Sequence, residues 1–183
     1  KAKRNNILEI SKNLCMKTDN SKKELSYFRL KLESYMSEHH PERMSDMEFI
    51  DQEDRRVTMQ YKTDDDIPNG NHVLAIPIFQ NQLLFTKHSK RGIEFPGGKV
   101  EINETSQQAI ARELYEETGG KIEALYYIAQ YQVHTFDKSL FKKDVYVIKV
   151  KSIEHKHDYL ETEGPILFHL VNEIPEHQKS YLI

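Results

Sequence analysis

The chain has 183 residues, enough for one hydrophobic core with an appendage. Its formal charge of −3 excludes a uniformly basic, nucleic-acid-coating protein, and no apolar run approaches the roughly 18 residues of a membrane helix. The one cysteine, Cys15, excludes an intrachain disulfide, so a soluble cytoplasmic protein without membrane attachment is the expectation.

Charge is unevenly distributed. Residues 1–43 carry net +4 and residues 44–183 net −7. In the first segment Ile7, Ile10 and Leu14 fall at helical spacing, and Leu25, Phe28, Leu32, Tyr35 and Met36 form a stronger stripe. Ser21 with Glu24 reads as a capping box, and Pro41 as a stop. A helical extension over 1–43 and a second unit over 44–183 are therefore expected, the extension packing on the domain or on a partner.

Asp64 to Gly70 reads as a solvated turn rather than an acidic metal site. Strands are expected at Val73–Phe79 and Leu83–Phe85, joined by a turn at Asn81-Gln82. Further β-rich runs follow at Ile122–Val133, Val145–Val150 and Ile166–Leu170. One helix, Ser106–Thr118, lies between them, so an α/β layered domain with a mixed sheet is expected. Tyr126, Tyr127 and Tyr131 would serve as sheet core or as stacking rings for a base. His155 and His157 lack a third ligand at zinc spacing.

The helix carries the chemistry. Thr105 with Gln108 reads as its capping box, and Gly119-Gly120 as its left-handed stop. Glu113, Glu116 and Glu117 share one face of it. They repel one another and sit where the helix dipole disfavours anions, so helix stability does not explain them. A hard cation does: Mg²⁺ (or Mn²⁺) takes carboxylate oxygens and keeps waters to share with phosphate. Arg112, four residues before Glu116, would orient a carboxylate. Gly97 and Gly98 allow close backbone approach, and a carbonyl there would be a further ligand.

The run Gly98, Glu104, Arg112, Glu113, Leu114, Glu116, Glu117, Gly119 resembles the Nudix box, G-x5-E-x7-R-E-U-x-E-E-x-G-U, with Gly120 at the final bulky position as the one departure. The flanks Arg91 to Glu101 and Glu161 to Phe168 resemble the bacterial YtkD branch of MutT-like enzymes. The resemblance implies a Nudix α/β/α sandwich and hydrolysis of a diphosphate linkage by metal-activated water. It implies metal ligation by Glu113, Glu116, Glu117 and the Gly97 carbonyl, an orienting Arg112, and a loop-holding Glu104. A downstream loop acid often joins such a site, and Glu161 is the candidate for extra ligand or base; an ordinary solvent-facing acid is the alternative. Lys99, Arg91 and Lys87, with His88 and Lys90, are candidate phosphate or RNA contacts, against a solvated strand-end turn. The expected substrate is a nucleoside triphosphate such as 8-oxo-dGTP; the alternatives are an RNA 5′ end and a catalytically silent nucleotide-binding module.

Overall fold

The computed structural model describes residues 47–51, 54–62, 65–135 and 140–181. The expected helical extension lies outside the described residues. In chain order the elements are β1 (Met47–Ile50), β2 (Arg56–Tyr61), β3 (His72–Phe79), β4 (Gln82–His88), β5 (Gly92–Glu94) and β6 (Gly97–Lys99). Helix α1 (Ser106–Thr118), β7 (Gly120–His134), β8 (Leu140–Ile153) and β9 (Thr162–Phe168) follow, then 3-10 turns at Val171–Glu173 and Glu176–Gln178.

The strands form one sheet in the order β1-β2-β7-β8-β3-β4-β5, with β6 beside β3 and β9 beside β4. The β3–β8 pair is parallel and the other named pairs are antiparallel, so the sheet is mixed as expected. The β3–β4 hairpin closes on Gln80 and Asn81, both at positive φ, the geometry a two-residue turn demands. The turn thus sits one residue before the expected Asn81-Gln82. Strands β1, β2, β5 and β6 were not expected: two are only three residues long, and β2 carries polar residues through its alternation.

Period-two alternation splits the core between the two faces. Val73 and Ala75 of β3, with Tyr146, Ile148 and Val150 of β8, pack under Ala109, Ile110 and Leu114 of α1. Ile76, Val145, Val147, Phe85 and Phe95 face the other way and are joined by Val171 and Ile174 from the C-terminal turn. Beneath the N-terminus of α1 lies a fully buried carboxylate, Asp144. It accepts hydrogen bonds from the Gly70 amide (2.8 Å), Ser106 (2.7 Å), Tyr127 (2.9 Å) and Gln130 (2.7 Å). Burial and this carboxylate push the Tyr127 phenol upward, so it stays a donor. The network fixes where α1 starts relative to the sheet.

Candidate active site

Both ends of α1 are fastened. At the start, the Gln108 amide donates to the Thr105 hydroxyl while the Thr105 amide donates to the Gln108 side chain, completing the capping box. At the end, Gly119 adopts φ 70° and its amide donates to the Tyr115 carbonyl. Gly120, the departure from the box, is buried: a Cβ there would lie 2.9 Å from the Thr118 hydroxyl and 3.1 Å from Leu114. A bulky residue has no room, and Ile122 packs against the same cluster instead.

Side chains from three strand regions reach the last helical carbonyls. Thr86 of β4 and Thr162 of β9 both donate to the Glu117 carbonyl, at 3.2 and 3.1 Å. Lys156, between β8 and β9, donates to the Glu116 carbonyl at 2.8 Å and the Tyr115 carbonyl at 3.2 Å. The last turn holds no basic residue of its own, so Lys156 brings the cation that offsets the helix dipole beside Glu116 and Glu117. Sequence reasoning missed all three, because nothing in their local sequence marks a contact made across the fold.

The box side chains converge on Arg112. Its guanidinium donates to Glu104 (2.9 and 3.0 Å), Glu113 (2.9 Å), Glu116 (3.0 Å) and the Lys99 carbonyl (2.9 Å). Glu104, held below the usual carboxylate range chiefly by Arg112, also receives the Glu101 amide and so closes the loop before the helix. The guanidinium thus holds the box loop and two of the three expected ligands in one arrangement.

Glu117 is turned differently. It accepts the Gly97 amide at 3.3 Å, and burial, then the nearby Glu113 charge, push its carboxyl up to about 8. Burial also raises Glu113, against the pull of Arg112. Gly98 is required for space: a Cβ there would fall inside the Glu113 carboxylate. A Cβ on Gly97 would instead collide with the Val73 carbonyl across the β3–β6 pair. Together these residues offer three carboxylates, an all-oxygen donor set with a net negative charge, which suits a hard divalent cation. With Arg112 spread over Glu104, Glu113 and Glu116, no three such side chains of the described residues stand closely enough to hold an ion. A bound cation would therefore share Glu113 and Glu116 with Arg112.

The remaining candidates lie around this centre. Lys99 is exposed at the end of β6. Arg91 is engaged within the protein: it forks onto buried Glu94 at 2.6 to 3.2 Å, and Ser180 donates to the same carboxylate. Lys87 pairs with Glu163 at 2.6 Å, a solvated contact. Glu161 is 82% exposed and stands 3.7 Å from His88 Nε2. The His88 Nδ1 accepts the amides of Lys90 and Arg91, which leaves its proton on Nε2, facing Glu161. The structure thus brings Arg112, Glu113, Glu116, Glu104 and the Lys99 carbonyl together, with Glu117 and Gly97 alongside. It sets Glu161 against His88 rather than against the box carboxylates.

The Nudix domain profile matches residues 68–176. A second profile, described only as a domain of unknown function, matches residues 20–90. The Bacillus subtilis protein named YtkD, an 8-oxo-dGTP diphosphatase by name, is 39% identical over 129 residues, 70% of this chain and 79% of that protein. An Escherichia coli 8-oxo-dGTP diphosphatase is 46% identical over 44 residues, 21% of this chain and 34% of its own length. A crystal structure of a variant of the Bacillus subtilis pyrophosphohydrolase BsRppH superposes with a TM-score of 0.66 at 35% identity, covering 74% of this chain and 87% of that one. No helix among the described residues is long and apolar enough to cross a membrane. With its box, fold and relatives in agreement, the chain belongs to the Nudix family and is a Nudix hydrolase acting on phosphoanhydride bonds.

Proposed function

We propose that the chain hydrolyses nucleoside triphosphates to a monophosphate and pyrophosphate, with oxidised guanine nucleotides of the 8-oxo-dGTP kind among its substrates. The observation that carries this reading is the Arg112 guanidinium holding Glu113 and Glu116 on α1, with Glu117 alongside on the Gly97 amide. The names of the Bacillus subtilis and Escherichia coli relatives support the choice of substrate.

Glu113, Glu116, Glu117 and the Gly97 carbonyl are the residues that would hold Mg²⁺ or Mn²⁺. Such an ion, when bound, supplies a water of lowered pKa and neutralises charge on the phosphoryl oxygens. Arg112 holds Glu113 and Glu116 in orientation, and Glu104 holds Arg112. The attacking water's proton passes to a carboxylate. Glu116 is the first candidate, one-third exposed beside Arg112, and Glu161 on its loop is the second. Lys99 at the end of β6 provides positive charge for the polyphosphate, and Lys87 and Arg91 would add to it on exchanging their Glu163 and Glu94 partners for phosphate. The setting proposed is the cytoplasmic nucleotide pool.

A second reading, removal of pyrophosphate from an RNA 5′ end, is supported by the likeness to the Bacillus subtilis pyrophosphohydrolase BsRppH. The two are separated by a product assay on ordinary nucleoside triphosphates, 8-oxo-dGTP and 5′-triphosphorylated RNA, counting pyrophosphate and orthophosphate separately. Preferred turnover of free nucleotides with pyrophosphate release supports the first reading. Orthophosphate as the first product from every substrate would overturn both.

A further inference from the structure

The segment between β8 and β9 clasps the C-terminal end of α1. The Glu154 amide donates to the Gly119 carbonyl at 2.9 Å. The loop that follows lands at both ends on helix carbonyls: Lys156 Nζ on Glu116 (2.8 Å) and Tyr115 (3.2 Å), and the Thr162 hydroxyl on Glu117 (3.1 Å). Glu116 and Glu117 are also residues whose side chains are expected to hold the cation. The Lys156 ammonium lies 5.0 Å from the centre of the Tyr115 ring and 5.4 Å from that of Tyr159. No carboxylate among the described residues stands within ion-pair distance of it, so its donors and its charge go to the helix end.

The same loop carries Glu161, and its backbone is held in one strained shape. Leu160 sits at φ 59°, a left-handed conformation that residues with a Cβ rarely adopt. Such a conformation persists only where its surroundings fix it. Here the Leu160 amide donates to Asp158 at 2.8 Å, the Lys156 amide to the Tyr159 hydroxyl at 3.1 Å, and the Thr162 amide to the Tyr159 carbonyl at 3.2 Å. The Tyr159 ring lies over Gly164, at φ 97°, where a Cβ would come within 2.9 Å of it. Ser89 grips the Glu161 carbonyl with both its amide (3.2 Å) and its hydroxyl (3.0 Å). The Glu161 carboxylate is therefore presented outward from a fixed mount, and Lys156 and Thr162 tie that mount to the last turn of α1.

We propose that Lys156 is a positioning residue for phosphoanhydride hydrolysis: it locks the loop bearing Glu161 to the helical turn bearing Glu116 and Glu117, so that the two groups of carboxylates keep one spacing. Lys156 acts through the backbone of Glu116 and Tyr115 and through its own loop, without touching substrate or cation. The role rests on the hydrolytic reading above and holds whichever of Glu116 and Glu161 takes the proton. Its charge adds what the Thr162 hydroxyl cannot, an offset to the helix dipole at the end where the carboxylates gather.

The test compares the full chain with Lys156→Met, which keeps the stem and removes the donors, and Lys156→Arg, which keeps charge and donors. Val171→Ala, a truncation in the core on the other sheet face, controls for lost stability alone. Three quantities are read: kcat and KM for a nucleoside triphosphate at saturating Mn²⁺, Mn²⁺ affinity without substrate, and amide hydrogen exchange of the cation-free protein. Lys156→Met should lower kcat about tenfold or more with KM within about threefold, and weaken Mn²⁺ binding by a similar few-fold. Exchange at the Leu160 and Thr162 amides should quicken while β3 is unchanged. Lys156→Arg should recover most of the loss, and Val171→Ala should keep kcat and Mn²⁺ affinity despite a lower melting temperature. Unchanged kcat and Mn²⁺ affinity in folded Lys156→Met, or equal losses in Val171→Ala, would overturn the assignment. Weakened Mn²⁺ binding and faster loop exchange, with no nucleotide turned over by wild type, would keep the clasp and refute the nucleotide substrate. Tyr159→Phe removes only the hydroxyl that holds the Lys156 amide, and carries the test should Lys156→Met not fold. The same pattern in smaller measure is expected there, and wild-type behaviour would count against the role.

Discussion

Gly98 and Glu113 show how tightly a single position is specified. The Glu113 carboxylate occupies the space a side chain at Gly98 would need, so Gly98→Ala should displace Glu113 and lower turnover at least about a hundredfold. Circular dichroism should show the fold retained; turnover within a few-fold of wild type would show that Glu113 tolerates the displacement. Glu117 carries a different signature. Its carboxyl is raised from 4.5 to about 8, so the folded, cation-free protein binds a proton there that the unfolded chain has released. Its contribution to stability is therefore lost as pH rises from about 4.5 through about 8. Glu117→Gln should raise the cation-free melting temperature at pH 8 by about 3–8 °C and change little at pH 4.5. An equal shift at both pH values would contradict the assigned cause. That Glu113, Glu116 and Glu117 fall together on α1 beside Gly97 and Gly98 was legible from spacing alone, since residues three and four apart on a helix are neighbours. Arg91 was not: its sequence position suggests a phosphate contact, whereas its fork onto buried Glu94 is a contact that only the folded β5 and C-terminal segment create.

Helix α1 is read correctly from its caps and periodicity because those signals are local. What holds it against the sheet is not local. The Glu117 carbonyl takes bonds from threonines 31 residues before it and 45 after it, and Asp144 under the other end gathers residues from three segments. Replacing Thr86 and Thr162 by Val should each cost roughly 0.5–1.5 kcal/mol in urea unfolding. Asp144→Ala, which strands several buried donors, should cost at least about 3 kcal/mol. A pair of threonine variants with wild-type stability would show that the Glu117 carbonyl finds other partners. Strands β5 and β6 escaped sequence reading because three residues are too few to display a period, and because Gly97 and Gly98 read as loop. Their pairing with β4 and β3 is decided by those longer neighbours.

At the scale of the molecule, the mixed sheet does two things at once. One face seats the helix that carries the box, and the other buries Phe85, Phe95, Val145 and Val147 under the C-terminal turn. The parallel β3–β8 pair places His72 beside Lys143, residues 71 positions apart that no sequence pattern links. Composition and alternation indicate the layered α/β class, but strand order does not follow from either. The amphipathic stripe in residues 1–43 leads us to expect that deleting them lowers the melting temperature without abolishing divalent-cation binding. An unchanged melting temperature would remove that segment from the domain's packing. The central claim is that cation-dependent phosphoanhydride hydrolysis runs through the box carboxylates. Its most direct test is pyrophosphate release from a nucleoside triphosphate by wild type and Glu116→Gln, each with Mg²⁺, Mn²⁺ or excess chelator. Turnover that needs the cation and falls by orders of magnitude in a folded Glu116→Gln protein is the predicted result. Turnover that survives either the chelator or the substitution would contradict it.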